Sequence, residues 1–432
     1  MRRLLNLVPA GTIAVGGGLT LLGLASYVHL AVAGHNLDAS GYSSLSVLWS
    51  IVFTVGIGVF TPIEQETARL VATRHSQGLS SGPVLARAGL VAVGILAVLF
   101  GALALTADVL AERLFDGDRS LVWALAGGLA GLAAVHTARG LFSGRQMFGA
   151  YGTQLGLDGG LRVVLVAGLG LAGVDSTLWY GLVLVVAPLV AVVFTLPPAV
   201  RLLGSGPAVP WRPMLRGLGL LATSSLLMQF IINVGVINVK LLAPADIAAA
   251  GALLSALVLV RIPLFAFASI QASLLPGLST ATATGDLSAF RGLLRRALTL
   301  VTAVGVAGAV VAVPLGPWLV RVLFDQPNIL GPIDFIWLSA GTLGCLWAMV
   351  LGQALLASGR HRAQAVAWVV GVVSLIIVTL LPMAVVLRVE IAYATGTLAV
   401  AAAMAAALRR DRVAAATAAP DIAPAASPGG LR

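Results

Sequence analysis

Charge is scarce in this sequence. Only 10% of its 432 residues are Asp, Glu, Lys or Arg, and Lys240 is its single lysine. That excludes an ordinary water-soluble domain, in which about a quarter of the residues are charged. Cysteine is nearly absent. The one present, Cys345, lies inside an apolar segment, so neither a disulfide framework nor a cysteine metal site is available. No P-loop, His-Glu-x-x-His or dinucleotide fingerprint occurs, which removes support for an ATP-driven pump or a zinc protease, and no cofactor or metal is expected. The net charge of +10 would suggest nucleic acid in a soluble protein, but here it follows from arginine-rich loops between apolar runs. Glycine clusters at 16–18 and 127–128 sit within such runs and suit close helix packing better than phosphate binding.

Apolar length, by contrast, is plentiful: 59% of residues are hydrophobic and mean hydropathy is +1.02. Runs of about 20 apolar residues recur along the chain and predict twelve membrane-spanning helices. They fall near 7–33, 42–62, 88–107, 121–138, 150–172 and 177–200, then 215–242, 247–275, 297–313, 332–357, 363–387 and 391–408. The first is too long for a signal-peptide core and reads as an uncleaved span. A connection rich in proline and glycine near 201–213 divides the chain into lobes 1–205 and 206–408. The Ala- and Pro-rich tail 409–432 is predicted to be disordered and cytoplasmic. Most arginines fall on one side if the N-terminus is cytoplasmic, leaving Arg113, Arg119, Arg321 and Arg388 on the other with the acidic loops 108–118 and 324–334. This predicts a multi-pass protein of the cell membrane with both termini inside.

An internal repeat supports the count. Arg87 precedes Phe115 of Arg113-Leu114-Phe115-Asp116 by 28 positions, and Arg296 precedes Phe324 of Val322-Leu323-Phe324-Asp325 by the same interval. Ser143-Gly144-Arg145 after the fourth span is matched by Ser358-Gly359-Arg360 after the tenth. Six spans per half is an even number, so both halves enter the membrane from the same side. The predicted fold class is an all-α polytopic membrane protein of two six-helix lobes related by a parallel pseudo-two-fold.

Polar residues inside the spans are the candidate site. Arg261 lies near the middle of the eighth span, which is expected to break at Pro276 into a polar loop, 280–288, and the basic run Arg291, Arg295, Arg296. A charge at bilayer depth costs about 2.5–3.5 kcal/mol even on lenient scales, so it faces protein or water, as a structural partner or as a seat for an anion. Asp158 and Arg162 are four apart on the fifth span and can pair along one helix face. Gln229, Asn233 and Lys240 follow helical spacing on the seventh span, where Lys240 can also simply snorkel. His29 is either a packing residue or a proton relay. Glu64, Glu66 and Arg69 read as a solvated helix end.

The run Arg261-Ile262-Pro263-Leu264, Gln271-Ala272, Leu275-Pro276-Gly277-Leu278-Ser279, Gly285-Asp286 and Phe290-Arg291 resembles the eighth-span signature of the polysaccharide-exporter branch of the MOP (multidrug/oligosaccharidyl-lipid/polysaccharide) flippase superfamily. Leu323-Phe324-Asp325, Ala357-Ser358-Gly359-Arg360 and Leu37-Asp38-Ala39-Ser40-Gly41-Tyr42, with Pro62 and Arg69 beyond, resemble it too. The first span departs from it, offering only His29 where some relatives place cavity charges. The resemblance implies two lobes around a central cavity, alternating access, and a lipid-linked oligosaccharide carried from the inner to the outer leaflet. Polysaccharide polymerases or glycosyltransferases are the protein partners it implies. Arg261 and Arg162 are then the expected phosphate contacts, with Lys240 secondary. The rivals are a multidrug antiporter of the same superfamily, which needs cavity carboxylates, a membrane-embedded polysaccharide-assembly enzyme, which needs large outer loops, and a non-transporting scaffold.

Overall fold

The computed structural model describes residues 12–417 apart from residue 202. In order the helices are α1 (Thr12–Asn36), α2 (Ala39–Ser76), α3 (Gly82–Leu114), α4 (Arg119–Gly144), α5 (Phe148–Leu171), α6 (Thr177–Val200), α7 (Trp211–Leu242), α8 (Ala249–Val260), α9 (Ile262–Ala283), α10 (Leu287–Phe324), α11 (Pro332–Ala357), α12 (His361–Thr379) and α13 (Val385–Thr417). Eleven are long and apolar enough to cross a membrane, and α8 with α9 takes the place of the twelfth span. Among the described residues there is no strand. Lipid offers the backbone no hydrogen-bond partners, so a chain this apolar must satisfy its peptide groups within helices.

The helices run longer than the apolar runs. α2 and α10 hold 38 residues each, about 57 Å at 1.5 Å per residue, against a hydrocarbon core of about 30 Å. Arg291, Arg295 and Arg296 therefore lie on α10 rather than in a loop. Glu64 and Glu66, expected at a solvated helix end, lie on α2, and Glu66 is only 2% exposed. The eighth span also differs from expectation. Its helix is interrupted at Arg261 and then continues through Pro276 to Ala283. Pro263 fits the interruption: it stands in the first turn of α9, where its missing N–H forfeits no intrahelical hydrogen bond. At the other end, α13 continues through Thr417, so residues 409–417 of the supposedly disordered tail are helical, in keeping with their alanine content. The rest of the tail lies outside the described residues.

The two lobes repeat one another. Contacts α3–α4, α4–α6 and α5–α6 in the first recur as α10–α11, α11–α13 and α12–α13 in the second. Phe115 and Phe324 are both buried at a helix end, and each is followed by an aspartate in the left-handed region, Asp116 at φ 51° and Asp325 at φ 50°. The second sequence match is out of register. α4 ends on Arg145 with Gln146 at positive φ, while α11 ends on Ser358 with Gly359 at positive φ, so Ser358 corresponds to Arg145 and not to Ser143.

The loops at one end of the bundle carry Asp38, Asp116, Asp118, Asp175, Asp246 and Asp325, and those at the other carry Arg145, Arg201 and Arg360. They are called the acidic and basic ends below. Between the lobes, α2 lies along α7 and also meets α8, and α1 meets α10. Glycine makes this approach close. A side chain at Gly34 would collide with the backbone of Phe324, which is why α1 and the end of α10 can touch there.

Candidate functional site

Arg261 stands at the interruption between α8 and α9, half-buried. Its Nη2 donates to the carbonyl of Ile232 and its Nη1 to Asn233 Oδ1 at 3.3 Å. The guanidinium lies 5.6 Å from the centre of the Tyr393 ring, and its Nε has no partner. Asn233 also donates to Gln229 Oε1 at 3.2 Å, so three of the polar residues singled out by sequence form one string on α7 and α8. From the other lobe, the Tyr27 hydroxyl of α1 donates to the carbonyl of Val258 at 3.0 Å, one turn before Arg261. The arginine therefore sits where the second lobe faces the first.

Arg162 is elsewhere. It is 4% exposed inside the first lobe, paired with Asp158 at 3.2 Å and lying 5.8 Å from the centre of the Trp49 ring. Arg139 of α4 approaches the same carboxylate at 3.7 Å and donates to Gln154 Oε1 at 3.0 Å. Gln154 passes the chain to Thr195 of α6 at 3.4 Å. Nearby, Glu64 accepts from Tyr151 at 2.8 Å and meets His136 Nδ1 at 2.7 Å. These contacts tie α2, α4, α5 and α6 together through buried charge. His29, fully buried, packs edge-on against Trp49 with ring centres 5.3 Å apart and lies beside Tyr180. Both arginines keep unbonded nitrogens here, Nη2 on Arg139 and Nε and Nη1 on Arg162.

Lys240 is placed differently again, in a latch between the lobes at the acidic end. Its ammonium donates to both oxygens of Asp116, at 2.9 and 2.8 Å. Ser40 and Ser44 donate to the same carboxylate at 2.7 and 3.0 Å. Deeper in, the hydroxyls of Tyr42 and Ser255 meet at 2.8 Å. The stretch from Leu37 to Tyr42 thus has two tasks: Asp38 caps α2 by accepting from Gly41 N at 2.7 Å, and Ser40 and Tyr42 help close the lobes. At the basic end the ties involve the connection instead. Arg74 donates to Pro207 O at 3.0 Å, and Arg87 lies 4.0 Å from the centre of the Trp211 ring.

Partial burial opposes ionisation of Asp116, but hydrogen bonds from Lys240, Ser40 and Ser44 outweigh it and hold the carboxyl below its ordinary value. The latch is then at full strength above the ordinary aspartate pKa of about 3.9 and is lost as pH falls through the lower, latched value. Spin labels at the exposed positions Glu112 and Ala245 report this as a distance across the acidic end, and the buried Cys345 leaves a clean background. The expected distance is constant from pH 8 to 5, lengthens in stronger acid, and is already long at neutral pH in Lys240→Ala. An unchanged distance in that variant would remove the latch from the account.

Arg139, His136, Tyr151, Gln154, Asp116 and Glu390 were not singled out by sequence. Glu390 fell one residue before the expected start of the last span, and Arg139 one residue after the expected end of the fourth. The helical spacing of His136, Arg139 and Gly140 on one side and of Tyr151, Gln154 and Asp158 on the other was the available signal.

With this geometry in hand, known proteins can be compared. No family model matches the chain. Two proteins of Mycobacterium tuberculosis, both described as uncharacterized, are similar: one is 27% identical over 409 residues, 90% of each chain, and the other 28% over 416 residues, 93% of each. Among solved structures, an inward-facing multidrug-resistance MATE transporter of the MOP superfamily superimposes with a TM-score of 0.71 at 14% identity, covering 93% of this chain and 96% of that one. The fold is the MATE fold. An outward-facing structure of a MATE multidrug transporter gives 0.63 at 13% identity, covering 94% and 95%. A MOP transporter from Pyrococcus furiosus, described as having a binding pocket of reversed polarity that suggests a different function, gives 0.64 at 12%, covering 95% and 99%. In the MATE fold, the resemblance read from the sequence finds its two lobes; the polysaccharide-exporter branch is a finer matter.

Proposed function

We propose that the protein is a flippase of the polysaccharide-exporter type. It carries a lipid-linked oligosaccharide, or a related polyprenyl-phosphate glycolipid, from the inner to the outer leaflet of the cell membrane for envelope polysaccharide assembly. The observation that carries this reading is Arg261: a cation within an apolar span, at the face between the lobes, with Nε unbonded. A guanidinium offers planar, charge-assisted donors that fit a phosphate. Gln229 and Asn233 hold its other side. Arg162, the other expected phosphate contact, is buried in the first lobe and paired with Asp158, so it joins this seat only in a state that opens that pair.

The arginine-rich basic end is the cytoplasmic side in this reading, with both termini there. The lobes, 1–205 and 206–408, are latched at the acidic end, which suits a state that receives substrate from the cytoplasmic leaflet. Release needs the Lys240–Asp116 and Tyr42–Ser255 contacts to part while the lipid tails stay in the bilayer. Polymerases or glycosyltransferases supply and consume the substrate.

An exporter of organic cations needs free carboxylates facing the cavity. Asp158 is held by two arginines and Asp116 by a lysine and two serines, while the unpaired Glu390 borders a cavity with room for about one water, too small for an organic cation. The test is the leaflet distribution of saccharide lipids in cells lacking the protein, read with an impermeant saccharide-modifying reagent. Accumulation in the inner leaflet, reversed by the wild-type chain, is the expected outcome. No accumulation, together with new sensitivity to cationic drugs, would replace the flippase with the antiporter.

A further inference from the structure

Glu390 is fully buried, and neither of its carboxylate oxygens meets a hydrogen-bond donor. The polar group standing against it is another carboxylate, that of Asp334 on the first turn of α11. Asp334 is half-exposed at the acidic end and accepts from Gly331 N at 2.6 Å. Two carboxylates in contact with no cation between them cannot both be ionised at low dielectric. Something positive belongs there.

The surroundings decide what. Glu390 borders a small cavity between α7, α8, α11, α12 and α13, with room for about one water. Its other polar neighbours are Asn238 of α7 and Tyr393 on the next turn of α13; Leu253 and Leu257 of α8 and Leu375 of α12 complete an aliphatic wall. Hard metal cations take about six or more oxygen ligands, and this pocket does not supply them. Among the described residues no basic group hydrogen-bonds to Glu390 either. Arg388 donates to the carbonyl of Leu381, and Arg261 is engaged with the Ile232 carbonyl, Asn233 and the Tyr393 ring.

We infer that Asp334 and Glu390 form a proton-binding site of the second lobe, in which solvent-facing Asp334 delivers a proton from the acidic end to the buried Glu390 carboxylate. Glu390 and Tyr393 are one turn apart on α13 and line the same cavity, and the Arg261 guanidinium lies 5.6 Å from the centre of the tyrosine ring. The cavity that Glu390 borders is therefore lined by the residue whose ring lies against the cation assigned to the substrate. The proton site stands on its own geometry; only its coupling to transport rests on the flippase reading.

The test needs no substrate. Full-length protein in lipid bilayers is titrated while its infrared spectrum is followed for the protonated-carboxyl band. One band that persists at neutral pH, is lost in Glu390→Gln, and exchanges more slowly with heavy water in Asp334→Asn is the expected result. Persistence of the band in Glu390→Gln, or its absence from the wild type, would overturn the site. A dependence of the band on sodium concentration would do the same, by making the ligand a metal ion. Glu390→Gln keeps the shape of the protonated acid, so an unchanged melting temperature is expected; a fall of many degrees would show that the carboxylate is needed ionised and would also overturn the inference. If the band behaves as expected and saccharide lipids do not move, the proton site survives and the flippase does not.

Discussion

Arg261→Ala is expected to stop transport while leaving the protein folded. Removing one partner of a buried, hydrogen-bonded charge contact costs about 2–5 kcal/mol, roughly 30-fold or more in affinity. The inner-leaflet saccharide lipid should therefore accumulate in cells carrying the variant as it does in cells lacking the protein. Folding should survive because Arg261 is half-buried, has no carboxylate partner among the described contacts, and leaves behind neutral groups: the Ile232 carbonyl, the Tyr393 side chain and the Asn233 amide, which retains its bonds to Gln229. Arg261→Lys separates charge from geometry. An ammonium keeps the charge but lacks the planar fork, so partial activity is expected, and full activity would mean that any cation suffices. Full rescue by Arg261→Ala would remove this residue from the site.

Asp158→Asn has the opposite profile, with a large loss of stability. Asp158 is the carboxylate that Arg162 and Arg139 share, at 3.2 and 3.7 Å, and all three residues are less than 10% exposed. Breaking a buried ion pair from one side costs about 3–5 kcal/mol because the remaining charge is left uncompensated. Arg162→Gln should cost less, since Asp158 then keeps Arg139. The double variant Asp158→Asn with Arg162→Gln should recover much of the loss. Thermal unfolding in detergent orders the three variants. If Asp158→Asn melts no lower than Arg162→Gln, the carboxylate is not the hub of this lobe.

The sequence made the helix count, the two lobes and the repeat legible, since apolar length and arginine bias are properties of the bilayer and not of tertiary detail. Gln229 and Asn233 do share one place, as their spacing suggested, and Arg261 joins them from another span, whereas Lys240, on the same spacing, meets Asp116 instead. Arg162 and Arg261 do not meet, because helical spacing says which face of one helix a residue occupies and nothing about which lobe interior that face lines. Most of the missed residues have a single cause. Spans were cut to the thickness of hydrocarbon, whereas α2 extends past it with Glu64 and Glu66 still packed against neighbours, and α4 and α13 carry Arg139 and Glu390 just beyond the cuts. A charged residue at such a boundary reads as solvated until the neighbouring helix is seen.

The aspartates that follow Phe115 and Phe324, the matched phenylalanines of the repeat, share a backbone and not a fate. Asp116 meets Lys240, two residues before the end of α7; the position two residues before the end of α1, the counterpart helix, is Gly34, pressed against Phe324. The duplication has therefore become directional. Two copies of the first lobe would bring Asp116 to a glycine, and two copies of the second would bring Lys240 to Asp325 without the serines at 40 and 44. Neither half can stand in for the other, and the contact that distinguishes them lies at the mouth where the lobes must part.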